Sequence, residues 1–291
     1  MGDSAIEQIT EPDALLAESP LWDESNRRLL WVDIERGDVN SLDLETKRRQ
    51  LWRIGKMVGS VRLADDRRLV LGLQDGVYLG DESDHQLVRI AGVEADRPAH
   101  RLNDSACDSA GRLWIGSMRI DASGRDGALF RVEFGDGAYE ATRMVDAVGI
   151  SNGIGWSLDG TVMYYIDTPT NGVDAFDFNA LTGEISNRRP FINLVDARPD
   201  GMAVDSEGFL WVAIPSDGQI RRYSPAGRPE GVLEFPCRRV TSCCFGGEGL
   251  RDLFVTTAKD REPTTPESPG GAIFRCRPGP AGQLPSRLRI G

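Results

Sequence analysis

The sequence predicts an all-β chain folded as a six-bladed β-propeller, each blade a four-stranded antiparallel sheet. Three observations predict it. Glycine and proline are plentiful, 33 and 16 among 291 residues, and no long stretch carries a helical period, so many short strands and turns are expected. One pattern then recurs six times: a short apolar segment, an acidic or glycine-bearing turn, and a second apolar segment ending near an aromatic. Finally, the copies are evenly spaced. Anchored on Trp31, Val70, Trp114, Tyr164, Trp211 and Phe254, they lie 39, 44, 50, 47 and 43 residues apart, the period of propeller blades.

In chain order the copies run Glu18–Trp31, Ser60–Val70, Asn103–Trp114, Asn152–Tyr164, Asp200–Trp211 and Ser242–Phe254. In Asp108-Ser-Ala-Gly-Arg-Leu-Trp114 the glycine serves a tight turn, and the apolar run after it has strand propensity. Further strand-like segments follow most copies, at Val39–Leu44, Ala128–Val132, Val173–Phe178 and Ile220–Tyr223. Residues Ile6–Leu16 precede the first copy and are expected to pair with a C-terminal strand near Leu284–Ile290. Such pairing of the two chain ends closes the ring and covers an open sheet edge. Residues 1–291 are thus expected to form one domain, since the even spacing leaves no linker for a second.

Composition narrows the function. A formal net charge of −11 argues against a nucleic-acid partner, which needs a cationic surface, and suits a protein that handles small molecules or cations. No apolar run is long enough to span a bilayer, and Met1–Glu7 lacks the features of a signal peptide. The five cysteines show no metal or redox spacing. A cytoplasmic protein, monomeric or weakly self-associating, is the expectation, with no membrane partner.

Ten to thirteen residues before the anchors stand Glu18, Ser60, Asn103, Asn152, Asp200 and Ser242, each an oxygen-bearing side chain ahead of an apolar segment. In a propeller the innermost strands start near the central channel, so these positions converge on one axis. Asp, Asn and Ser also favour turns, but Glu18 does not fit that explanation. A ring of carboxylates and carboxamides suits a hard divalent cation. The two histidines, His85 and His100, are too few for a multi-histidine zinc centre, and no Gly-x-Ser-x-Gly elbow, Walker loop or EF-hand loop occurs. Held by Glu18, Asn152 and Asp200, a cation can polarise a carbonyl and acidify bound water. Arg101 and Asn103 would offer hydrogen-bond donors beside it.

Glu18-Ser-Pro-Leu-Trp22, Arg101-Leu-Asn-Asp104, Ser151-Asn-Gly-Ile-Gly-Trp156 and Pro199-Asp-Gly-Met202 resemble the hallmark segments of the regucalcin (senescence marker protein), gluconolactonase and luciferin-regenerating enzyme family. Tyr164–Thr168, Gly183–Arg189 and Thr241–Gly247 extend the resemblance nearly end to end. It implies one divalent metal (calcium, zinc, manganese, magnesium or iron) in the channel, with Glu18, Asn152 and Asp200 as its ligands. It also implies Arg101 and Asn103 on the substrate and Asp200 as general base. The implied reaction is hydrolysis of a sugar lactone, of gluconolactone or aldonolactone type, to the aldonic acid. Where the family usually carries a Glu after the third-blade Gly-Ser-Met, this chain has Asp121, which the resemblance places on substrate hydroxyls. A non-enzymatic calcium-binding regulator, or a metal-dependent esterase or organophosphate hydrolase, are the alternatives. The polar segments Arg119–Gly127 and Arg261–Gly271 are expected at the channel mouth.

Overall fold

A computed structural model describes residues 5–195, 197–260 and 268–291. Among them, strands form six antiparallel sheets of four, and the only helical elements are three single-turn 3-10 segments. Each predicted copy forms the first two strands of one blade. The innermost strands are Ala17–Asp23, Val58–Leu63, His100–Cys107, Ser151–Trp156, Met202–Val204 and Val240–Gly246. Six apolar clusters hold the ring together, and each is a seam between neighbouring blades. Val70 and Ile115 share one such seam, Tyr164 and Leu210 another, and Trp31 and Phe254 meet across the closing one. Sheets packed face to face in this way explain why apolar residues alternate along the strands.

The recurring turn has a chemical reason. Asp108 Oδ1 accepts the backbone N–H groups of Ala110 and Arg112 at 3.0 and 3.1 Å. Its Oδ2 accepts Trp114 Nε1 at 2.9 Å. Asp205 does the same for Glu207, Phe209 and Trp211, at 2.9 Å each. In blades three and five the acidic turn and the tryptophan six residues later are therefore one hydrogen-bonded unit.

The ring closes between the chain ends, but at a different place from that expected. Glu7 and Gln8 pair with Arg275 and Phe274, so the outer strand of blade six is N-terminal and its partner is Ile273–Cys276. Leu284–Ile290 is not that partner. Pro278 and Pro280 end the strand before it, because proline brings no N–H to a ladder. The last residues cross the rear face instead, where Gly282 N donates to Leu250 O, Leu288 N to Leu63 O and Arg289 N to Gly111 O, at 2.8, 2.9 and 2.9 Å.

All five cysteines are free thiols, as strand packing without disulfides requires. Among the described residues no helix is long and apolar enough to cross a membrane. Of the two expected mouth segments, Arg119–Gly127 follows the second strand of blade three at the front rim, whereas residues 261–267 of the other lie outside the described residues.

Candidate metal and substrate site

Five of the six innermost strands break register with their neighbour near the front of the channel. The irregularities fall between Glu18 and Leu21, Val58 and Ser60, Leu102 and Ser105, Ser151 and Ile154, and Val240 and Ser242. A bulge frees residues from the ladder and re-aims their side chains. Glu18, Asn103 and Asn152 occupy or flank three of these breaks. Asp200 stands just ahead of Met202–Val204, with its N–H on Ala213 O at 3.0 Å and its carbonyl accepting Gly153 N at 3.2 Å. That second bond ties blade five to blade four at the site.

Glu18, Arg101 and Asp200 lie within one another's field, and Asn103 is hydrogen-bonded to Asn152. Glu18 and Asp200 face each other closely enough to share a hydrogen bond, and Arg101 lies within the field of both. Burial, reinforced by Asp200 and Asp104, pushes the Glu18 carboxyl well above the usual range. Burial and Asp104 push Asp200 up to about 7, against the pull of Arg239, Arg101 and the bond to Glu18. Burial draws the Arg101 guanidinium down to about 10, opposed by Glu18, Asp200 and Glu35. Burial thus disfavours the charged form of both carboxyl groups.

Asn103 Nδ2 donates to Ser151 O at 2.6 Å and to Asn152 Oδ1 at 2.8 Å, while Arg101 Nη1 donates to Asn103 Oδ1. Asn152 Nδ2 donates to Thr168 Oγ1 at 2.7 Å, and that hydroxyl donates to Pro199 O at 2.8 Å. This chain fixes which end of each carboxamide faces which neighbour. The donor set that results is two carboxylates and a carboxamide oxygen. Among the described residues, no cluster of three His, Cys, Asp or Glu side chains suited to a metal occurs. A donor set made of oxygens is of the kind that suits a hard divalent cation.

The remaining expected residues fall elsewhere. Ser60 lies one layer deeper, where its hydroxyl accepts Ser105 Oγ at 2.8 Å. Ser242 borders a cavity at the rear. Asp121 stands on the exposed front rim, its carboxylate accepting Arg119 Nε and Nη2, Ser123 N and Ser123 Oγ at 2.7 to 3.0 Å. Those donors hold it well below the usual carboxylate range. His100 is buried with Nε2 3.2 Å from Asp126. Sequence reasoning missed Thr168, which orients Asn152, and Arg62 and Asp104 beneath the site. Thr168 ends the family-like Tyr164–Thr168 segment, which is the signal that pointed to it.

A family model described as the SMP-30/gluconolactonase/LRE-like region matches residues 16–259. The chain belongs to this family. Human regucalcin is 35% identical over 268 residues, 89% of each chain. A Bacillus subtilis protein, YvrE, provisionally named a sugar lactone lactonase, is 33% identical over 262 residues, 89% of this chain and 88% of its own. Among solved structures, the calcium-binding protein regucalcin of Agrobacterium tumefaciens superposes with a TM-score of 0.92 at 27% identity, covering 99% of this chain and 98% of that one. As a member of the SMP-30/gluconolactonase/LRE-like family, the protein shares a fold built around the channel in which Glu18, Arg101, Asn103, Asn152 and Asp200 meet.

Proposed function

We propose that this protein hydrolyses a sugar lactone, of gluconolactone or aldonolactone type, to its aldonic acid with one bound divalent cation. The observation that carries the reading is the buried Glu18–Asp200 pair, set against the oriented carboxamide of Asn152 and flanked by Arg101 and Asn103. Glu18, Asn152 and Asp200 would hold the cation, and a bound divalent ion would supply Lewis acidity toward the lactone carbonyl and lower the pKa of water. Asp200 takes the proton of the attacking water on its carboxylate. Arg101 directs its guanidinium at the carbonyl oxygen, where negative charge grows as the ring ester opens and a carboxylate forms. Asn103 aligns the water and one sugar hydroxyl through its carboxamide. Asp121 and Arg119 at the rim select hydroxylated rings, and the shorter Asp121 side chain leaves room that a Glu would fill.

The test is a lactone panel run on chelated protein reloaded with calcium, magnesium, manganese, zinc or iron, with acid release followed by a pH indicator. Metal-dependent opening of an aldonolactone by the native protein, abolished in Asp200→Ala, is expected. Turnover in Asp200→Ala equal to that of the native protein overturns the mechanism. The similarity to a structure named a calcium-binding protein supports a second reading, a calcium binder without turnover. Protein that binds calcium and leaves the whole panel intact decides for that reading.

A further inference from the structure

A cavity of about 390 Å³ fills the rear end of the channel, opposite the metal and substrate site. Innermost strands of all six blades border it through Trp22, Arg62, Asp104, Trp156, Met202 and Phe245, so it lies on the propeller axis. None of Glu18, Arg101, Asn103, Asn152 or Asp200 lines it. Its walls are aromatic, with Trp22, Trp156, Phe178 and Phe245 around one space. Leu158 and Leu284 at its mouth are 53% and 54% exposed, apolar side chains that a ligand entering there would cover. The C-terminal strap completes the wall, pinned by Gln283 Nε2 on Asp205 O at 3.2 Å.

The floor is the ion pair of Arg62 and Asp104, and its hydrogen bonding is one-sided. Arg62 Nε donates to Ser105 O at 2.7 Å, and Nη1 donates to Ser19 Oγ and Val61 O at 2.7 Å each. Nη2 donates to Asp104 Oδ1 at 3.1 Å and also to Ser105 O. All five guanidinium N–H groups are engaged, so Arg62 has nothing left to offer an anion. Asp104 differs. Its Oδ1 also accepts Ser105 N at 2.8 Å, but among the described residues no donor reaches Oδ2. The side chain is 9% exposed, and the space it borders is this cavity. A carboxylate oxygen that borders a cavity and takes no hydrogen bond from the protein can accept one from a ligand.

We infer that the rear cavity is a second ligand site, which takes a small organic amine carrying an aromatic or alicyclic ring. The ammonium donates to Asp104 Oδ2, and the ring stacks among Trp22, Trp156 and Phe178, where the aromatic faces also favour a cation. Atoms of the lactone site take no part.

Calorimetry with 2-phenylethylamine, 2-phenylethanol and phenylacetate tests the assignment on calcium-saturated and chelated protein. The amine is expected to bind both forms, less tightly with calcium because Asp104 lies within the field of Glu18 and Asp200, at least about tenfold more tightly than the alcohol and with no measurable binding of the anion. Asp104→Asn should remove the amine's advantage over the alcohol. Leu158→Trp, a change at an exposed position that leaves the fold intact, should weaken both by crowding the mouth. Four results each overturn the inference: strict one-for-one competition between amine and calcium, which places the amine on Glu18 and Asp200; phenylacetate binding as tightly as the amine; indifference to Leu158→Trp; or no amine binding at millimolar concentration.

Discussion

At the scale of single residues, the site is a balance of buried charge. In the metal-free protein Asp200 titrates at about 7 because burial and Asp104 disfavour its anion, whereas an unfolded chain has an ordinary Asp near about 3.9. The folded state therefore holds an extra proton between those values. The stability this confers is fully present below the unfolded pKa and is lost as pH rises through the folded one. The denaturant midpoint of chelated protein should accordingly fall between about pH 4 and pH 7, and saturating calcium should flatten that slope. Asn103 offers a second test. Its amide holds both Ser151 O and Asn152 Oδ1, so Asn103→Ala should lower divalent-cation affinity by about 10- to 100-fold, because the proposed ligand Asn152 loses the donor that orients it. Titration calorimetry measures it. Ser19 adds a backbone contribution. It sits at φ 53° beside Glu18, held by Val61 N at 3.0 Å and Arg62 Nη1 at 2.7 Å on its hydroxyl. Such strain next to a functional carboxylate persists because the neighbouring blade fixes it.

At the scale of elements, blades three and five are pinned by the bond between the acidic turn and the tryptophan. Asp205 is fully buried and carries Trp211 Nε1, two backbone N–H groups and Arg222 Nη2 at 2.7 Å. Asp205→Ala leaves all of these without their acceptor and should cost about 3 kcal/mol in urea unfolding. The bulges are the other device of the element. The breaks in register at Glu18–Leu21, Leu102–Ser105 and Ser151–Ile154 free Glu18, Asn103 and Asn152 from the strict alternation of a plain strand. Gly201 shows how tightly the inner strands meet. A Cβ there would lie 2.1 Å from Ser242 Oγ and 2.5 Å from its Cβ. Gly201→Ala should therefore push blades five and six apart, displace Asp200 next to it, and reduce lactone turnover more than it reduces the unfolding midpoint. Activity and unfolding measured on one preparation check that inequality.

At the scale of the whole molecule, the ring stands on six interblade seams and one closure. Glu7 and Gln8 complete blade six, and the closure is reinforced by Ile9 N on Ile273 O at 2.9 Å and by the Arg275–Glu7 ion pair. Removing residues through Ile9 bares the edge of Ile273–Cys276. The truncated chain should unfold at lower denaturant and self-associate through the open strand, which light scattering detects. The C-terminal strap, by contrast, belongs to no blade and serves the rear face.

Six-fold self-similarity made the architecture legible, because each blade must repeat a turn between two apolar strands to pack against the next. Glu18, Asn103, Asn152 and Asp200 were legible for the same reason: equivalent positions in a ring point at one axis. Tertiary structure alone decided the rest. A repeat gives position along a blade but not depth along the channel, so Ser60 and Ser242 fall below the level their spacing suggested. Strand pairing between distant ends is equally invisible in a local pattern, and prolines after Cys276 moved the closure to Ile273–Cys276. The field of Asp104 on Asp200 and Glu18, and the full engagement of Arg62, depend on distances across the channel, which no stretch of sequence contains.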